Sequence, residues 1–417
     1  MSRIAVVGTG IAGLSAAWLL SQQHEVWVFE KEDRIGGHTH TVTVDTPDGP
    51  VPVDTGFIVH NRANYPAFIR LMDELGVPTC ASDMSFAASG NAHPWCSRGL
   101  NGLFAERRHL LAPAFYGLWR EVIRFNRTAR ELLEGGDEAG PTLGEYLARH
   151  RFSERFKADY LYPMAGAVWS TTLADMEAFP AATLVRFFHH HGFLGIATHR
   201  PWRTIPGGTS RYLDPISRPF RERIVTGARI ISIRRSPQEV LLHLEGQETL
   251  RFDQVVLACH GDQVLPLLAD PSPQEREVLG AFTSNRSPTV LHRDPVLMPA
   301  RRRGWAAWNF RAHGDAGRLV LTYHMNRLQP LATRQDWFVS LHAEDLLDPE
   351  SIVGRYAYEH PRYTPGAIRA QARWAEVSGA ASVHGRTHYA GAYWSYGFHE
   401  NGVESGIRVA RDLGVPW

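Results

Sequence analysis

The fold class that the sequence predicts is α/β: a Rossmann-type dinucleotide-binding domain with an inserted α+β cap. Three observations predict it. Ile4 to Val7 is a short apolar run that breaks into Gly8-Thr9-Gly10-Ile11-Ala12-Gly13 and continues as Leu14-Ser15-Ala16-Ala17-Trp18-Leu19-Leu20, the order strand, glycine turn, helix. The next strand-like run, Glu25 to Phe29, ends on Glu30, a carboxylate 17 residues past Gly13. Finally, 417 residues at 44% apolar and 21% charged make a chain that can bury a large core and is long enough for two or three domains.

Each part of the glycine turn has a physical task. Gly8 permits the tight turn, Gly10 lets the backbone approach a pyrophosphate, and Gly13 allows the helix to pack closely on the strand. Ile11 and Ala12 open a helix whose free N–H groups and positive dipole end attract phosphate. Glu30 is placed to accept hydrogen bonds from a ribose diol and would repel a 2′-phosphate, and Lys31 belongs to the same nucleotide end.

Arg34-Ile35-Gly36-Gly37-His38 follows at once, and Asp54-Thr55-Gly56-Phe57-Ile58 soon after. On these segments the chain resembles the flavin amine oxidase superfamily, which includes monoamine and polyamine oxidases, protoporphyrinogen oxidase and carotenoid desaturases. The resemblance implies FAD as the cofactor. It places Arg34, Gly36 and Gly37 beside the pyrophosphate and ribityl chain, and Thr55, Gly56, Phe57 and Ile58 near the isoalloxazine. His38 is expected to hydrogen-bond the FAD or nearby main chain, with a covalent link to the flavin as the alternative.

Later segments supply the rest of such a domain. Ile205-Pro206-Gly207-Gly208, the strand Ile224-Val225, a small meander beginning at Ala228-Arg229-Ile230, and the buried strand 253–258 follow in that order; the resemblance implies an adenine-side strand near Val225, and Ile230 is a further cofactor-binding candidate. Tyr389-Ala390-Gly391-Ala392 then precedes a helix expected to start at Gly402-Val403, whose N-terminal N–H groups would face the flavin pyrimidine. Residues 1–75, 205–270 and 384–417 are therefore assigned to the FAD domain, and 76–204 and 271–383 to the cap. The first cap segment contains an amphipathic helix expected from Phe115 to Leu133.

More specifically, the chain resembles a bacterial branch of NAD/FAD-binding proteins. The phrases that carry the likeness are Tyr162-Pro163-Met164 with Val168-Trp169-Ser170, Arg200-Pro201-Trp202-Arg203, Tyr323-His324-Met325-Asn326-Arg327-Leu328-Gln329, and the run from Gly391 to Gly402. That branch resembles the flavin-like N-terminal part of plant cyclopropane fatty acid synthases and tends to be encoded near such synthases. The resemblance implies a hydrophobic or acyl-lipid substrate and a lipid-modifying methyltransferase as a partner.

Amine oxidases of the superfamily use a lysine that holds a water at flavin N5. Lys31 and Lys157 are the only lysines in this chain, and neither falls in the second cap segment. Tyr393, Trp394 and Tyr396 are candidates to wall the substrate site, with His399 and Glu400 as proton carriers. His189-His190-His191 invites a metal, but side chains adjacent on a helix point about 100° apart, so no metal is expected.

Forty-four basic against 43 acidic residues leave a formal charge of +1, so no grip on nucleic acid is expected. Cys80, Cys96 and Cys259 are too scattered for a disulfide framework and read as reduced thiols. With no leader and no apolar run long enough to span a bilayer, a cytoplasmic protein is expected. Peripheral contact with the inner face of the membrane could come from Arg301-Arg302-Arg303 with Trp305 and Trp308. The expected activity is oxidation or desaturation of an unsaturated or modified fatty acyl chain by hydride transfer to flavin N5. The alternatives are an amine oxidase releasing peroxide, a redox-neutral flavin isomerase, and a flavin-binding accessory of a lipid methyltransferase.

Overall fold

A computed structural model describes the chain apart from residues 91, 134–139, 170–175, 191, 196–199 and 314–317. Ser170 and His191 lie outside the described residues, so the phrase ending at Ser170 and the histidine triplet are described only in part. Among the described residues, no group of three or more His, Cys, Asp or Glu is placed to hold a metal, and no helix is long and apolar enough to cross a membrane.

In chain order, the elements that position the site begin with β1 (Arg3–Val7), α1 (Ile11–Leu20), β2 (Glu25–Phe29), β3 (Thr41–Val44), β4 (Val51–Asp54) and α2 (Pro66–Glu74). The first cap segment contributes β5 (Phe86–Ser89), β6 (Trp95–Cys96), α3 (Pro113–Thr128) and α4 (Ala181–His190). There follow β7 (Ile224–Val225), the meander β8 (Ile230–Arg235), β9 (Val240–Leu244) and β10 (Leu250–Phe252), and then β11 (Gln254–Leu257). The second cap segment gives β12 (Ser284–His292), β13 (Trp308–His313), β14 (Arg318–His324), β15 (Phe338–Leu341) and β16 (Ile352–Pro361), before β17 (Thr387–Tyr389) and α5 (His399–Asp412).

Five strands form a parallel sheet in the order β7-β2-β1-β11-β17. β1 and β11 read as continuous apolar runs because both faces of a parallel sheet are covered, and Ile4, Ala5, Val6, Val255, Val256 and Leu257 are all fully buried. α1 is apolar on every side for the same reason: it lies between the sheet and α5, and nine of its ten residues are buried.

The cap is built on a seven-stranded sheet in the order β16-β12-β15-β14-β13-β5-β6. The second cap segment makes its antiparallel body, and β5 from the first segment adds in parallel to β13. An aromatic core that includes Phe86, Phe115, Phe125, Phe156, Phe188 and Phe310 packs α3 and α4 onto this sheet.

The helix Pro273–Leu279, which the sequence assigns to the cap, is tied to the nucleotide side. Arg235 of β8, fully buried, donates to Asp270 (2.9 Å) and Glu275 (2.6 Å), and the Tyr389 hydroxyl of β17 donates to the same Glu275 (2.7 Å). The cap sheet accordingly starts at Ser284. Two helix ends also differ from expectation. α3 stops at Thr128 and continues as a 3₁₀ turn, Ala129–Leu133. α5 starts at His399, almost a turn before Gly402, because the Asn401 side chain accepts the Phe398 N–H (3.2 Å) and caps the helix there.

Candidate active site

The glycine turn is tight at both ends and open in the middle. A Cβ at Gly8, whose φ is +106°, would lie 2.7 Å from the Ala258 carbonyl oxygen, and one at Gly13 only 2.0 Å from the Gly8 carbonyl oxygen. A Cβ at Gly10 would meet nothing within 4 Å, so the space in front of the α1 N-terminus is free where a pyrophosphate would sit. The Glu30 carboxylate accepts the Thr9 N–H (3.0 Å), the Thr9 hydroxyl and the Glu32 N–H (3.1 Å), so it braces the turn as well as ending β2. Lys31, beside it, is solvent-exposed and pairs with Glu32 at 3.8 Å. The Glu30 main chain is tied to the segment before β8, accepting from Ala228 (2.7 Å) and donating to Val225 (2.9 Å). Ile230 lies two residues further on, at the start of β8.

The second glycine pair closes against the first. Gly36 donates to the Thr9 carbonyl (3.1 Å), and a Cβ at Gly37 would stand 3.1 Å from the Gly10 Cα. Arg34 holds this loop from inside by donating to the Gly37 carbonyl at 2.8 Å. The Gly56 segment then runs alongside: Phe57 donates to the His38 carbonyl (2.8 Å), and a Cβ at Gly56 would fall 2.1 Å from that oxygen. Thr55 continues the contact, its N–H on the His40 carbonyl and its hydroxyl 2.6 Å from the Tyr358 hydroxyl.

His38 is enclosed by His260, His360 and Tyr358, with ring centroids 5.3 to 5.5 Å away. Burial first, and then these imidazoles, hold its pKa well below the usual histidine range, so it is neutral at pH 7. Its Nε2 is buried without a hydrogen-bond partner, a nitrogen left for a bound group.

The N-terminal end of α5 packs on that of α1. A Cβ at Gly402 would lie 2.6 Å from Ile11 Cγ2, and one at Gly406 would meet the Ser15 hydroxyl and the Ala12 carbonyl below 3 Å, so only glycines allow this approach. Val403 is fully buried in the same contact region. Two helix N-termini thus point their positive ends toward one region. The open space at Gly10, the unpartnered His38 nitrogen and these helix ends fit an extended anionic dinucleotide.

The two proposed proton carriers are each engaged by neighbouring groups. His399 stacks on Phe57 at 3.6 Å and 7°, and its Nε2 is 3.0 Å from the Thr39 hydroxyl and 3.3 Å from that of Tyr212. Burial lowers its pKa to about 3, so it stays an uncharged ring at working pH. Glu400 accepts the N–H groups of Ala67 and Phe68, each at 2.8 Å, and so caps α2, whose own N-cap residue Tyr65 makes no side-chain bond. Burial raises its pKa to about 7 although both N–H groups pull the other way. Tyr393 and Trp394 are buried against Phe282 at 4.8 Å and belong to the core behind Gly391, where a Cβ would overlap the Tyr393 ring. Tyr396 is half-buried and also lies off the cavity.

The cavity, of about 140 Å³, is formed by Gly56, Phe57 and Ile58 together with Val59, Tyr65, Met84, Phe86, Phe187, Phe193, Trp202, Trp308, Tyr323 and Phe398. Sequence reasoning found only the first three. Phe398 was discoverable, since it immediately precedes the helix expected to face the flavin, and it stacks on Phe187 at 5.0 Å. The rest come from four separate stretches that only the fold unites. Trp308 therefore faces the cavity and Trp305 is buried, so neither indole is offered to a membrane. Lys157, ion-paired to Glu154 at 2.6 Å, is not part of the lining either.

The profile of the flavin containing amine oxidoreductase family matches residues 11–291. The chain belongs to that family. Membership implies FAD as the cofactor, which the cradle accommodates. The chain is 28% identical over 250 residues to Mycobacterium tuberculosis AofH, described provisionally as a flavin-containing monoamine oxidase, covering 56% of this chain and 51% of that protein. It is likewise 28% identical over 295 residues to the carotenoid phi-ring synthase of Streptomyces griseus, covering 64% and 54%. The chain thus spans about half the length of these relatives. Cyclohexylamine oxidase from Brevibacterium oxydans shares the fold, with a TM-score of 0.73 at 16% identity and 99% of each chain covered.

Proposed function

We propose that the chain is an FAD-dependent oxidoreductase that oxidises or desaturates a hydrophobic substrate, with a modified or unsaturated fatty acyl chain as the substrate class. One observation carries the substrate half: the cavity beside Gly56 and Phe57 is lined, among the described residues, by aromatic and aliphatic side chains and no carboxylate. An alkylammonium entering it would lose its water and find only the faces of aromatic rings in place of a counter-charge, whereas a hydrocarbon chain would gain by leaving water. Bound FAD supplies a hydride acceptor at N5. This chain's residues would bind and orient: Phe57, Ile58 and Phe398 hold the reacting carbon in place, and the surrounding rings exclude water. Forming a double bond by hydride loss also releases a proton; among the described residues that line the cavity none is a carboxylate or an imidazole, so that proton would pass to water or to the bound cofactor.

Amine oxidation is the second reading, favoured by the likeness to AofH. Following flavin absorbance anaerobically, with unsaturated and cyclopropane acyl lipids beside a panel of amines, separates the two. Bleaching by lipids alone is the expected result, and bleaching by amines with peroxide released in air overturns the substrate half. Product formed only after prior reduction, with no net electron transfer, would point to an isomerase. Turnover that needs a lipid methyltransferase would point to an accessory role.

A further inference from the structure

We propose that the face formed by residues 99–127 docks on an anionic phospholipid bilayer. Five large apolar side chains stand in solvent there: Leu111 at 90% exposure, Leu100 at 75%, Tyr116 at 49%, Leu110 at 47% and Ile123 at 41%. They form one surface. The Tyr116 hydroxyl donates to the Leu110 carbonyl (2.9 Å), Phe104 packs on Tyr116 at 6.4 Å, and the Phe104 N–H bonds the Leu100 carbonyl (3.0 Å). Between the 3₁₀ turn Arg107–Leu111 and the start of α3 lies an open cleft of about 540 Å³ that includes Leu110, Leu111, Tyr116 and Arg120.

The charge of this face says what covers it. Residues 98–130 hold seven arginines against two glutamates, in a chain whose net charge is only +1. Glu121 is already engaged by Arg124 (3.2 Å) and Ser153, and Glu106 lies 4.0 Å from Arg301. Arg303 donates to the Ala105 carbonyl (2.8 Å), so the Arg301–Arg303 run borders the same surface. Along α3, Tyr116, Arg120, Ile123 and Arg127 are exposed at helical spacing, opposite buried Phe115, Leu118, Val122 and Phe125. Apolar tips alternating with cations match the bilayer interface, where the tips enter the acyl boundary and arginines meet headgroup phosphates. A second copy would set arginines against arginines across a two-fold axis. Beneath the face lies the aromatic core containing Phe115 and Phe86, and Phe86 also borders the cavity. The inference stands whether or not the substrate is a lipid.

The test is co-sedimentation of the FAD-loaded protein with vesicles of phosphatidylglycerol and phosphatidylcholine in equal parts, and with phosphatidylcholine alone. Retention by the anionic vesicles, weakened by salt, is expected. Leu100→Asp with Leu111→Asp should weaken it at least about tenfold, and Arg108→Gln with Arg120→Gln several-fold, with the flavin spectrum unchanged in both variants. No retention, equal retention on neutral vesicles, or retention unaffected by both variants would overturn the proposal. So would a dimer in light scattering that the leucine variant dissociates.

Discussion

At the scale of single residues, the pair His399-Glu400 shows how neighbours in sequence take unrelated tasks in the fold. His399 is an uncharged ring laid on Phe57, so His399→Gln is expected to leave the shape of the kcat–pH profile unchanged between about pH 5 and 9, with FAD retained. An inflection present in the parent and lost in the variant would contradict this. Glu400 titrates in a different way. Its folded pKa of about 7 lies above the ordinary carboxyl value, so between about pH 4.5 and 7 the native state keeps a proton that the unfolded chain has released. Stability therefore falls as pH rises through that window and levels off above it. Denaturant titrations across pH should show this slope, and Glu400→Gln should flatten it. Glu400→Ala removes the acceptor of two N–H groups at the start of α2 and should cost about 1–2 kcal/mol at pH 7. A histidine and a glutamate ahead of a flavin-facing helix look like an acid–base pair in the sequence. What decides otherwise is contact with Phe57, Ala67 and Phe68, more than 300 residues away.

At the scale of elements, the glycine turn allows the two consequences of an added methyl group to be separated. Gly13→Ala drives a Cβ into the Gly8 carbonyl and should lower the melting temperature of the protein even without cofactor. Gly10→Ala meets no protein atom. It should melt like the parent when FAD-free and yet lose affinity for FAD by about tenfold or more, read by flavin fluorescence quenching, because the methyl occupies the space of the pyrophosphate. Equal affinity in the Gly10 variant would mean that the phosphates lie elsewhere. This element was legible in the sequence because all its interactions are local: strand, turn and helix adjoin, and the bracing Glu30 follows within the same unit. The start of α5 was less so. The residue before it is a phenylalanine with no capping group, and the cap comes from Asn401 inside the helix. The cavity was least legible, because Met84 and Phe187 carry no signal beyond being apolar, and Trp202 and Tyr323 lie in phrases that mark a likeness without saying what they line.

At the scale of the molecule, the parallel sheet was legible from its apolar runs, whereas the entry of β5 into the cap sheet was not, since Phe86–Ser89 is a short stretch whose partner β13 lies some 220 residues on. The same long-range character governs stability. Arg235 and Glu275 are both buried and share their charges with Asp270 and Tyr389, joining the meander, the helix Pro273–Leu279 and β17. Truncating Glu275 to alanine leaves a guanidinium without its nearest counter-charge in the core. A loss of about 3–5 kcal/mol is expected, measured by chemical denaturation. A loss below about 1 kcal/mol would mean that Asp270 alone neutralises Arg235.

The closure of α5 on α1 has a bearing on synthesis. The cradle for the phosphates begins at Gly8, but the helix that seals it carries Gly402 and Gly406, and the sheet neighbour of β1 on one side is β11. The side of α1 that α5 covers therefore stays uncovered until Gly402 and Gly406 have been made, nearly four hundred residues after Gly8. The phosphate cradle is thus complete only once the N- and C-terminal parts of the fold have met, and cofactor capture is expected to follow that meeting.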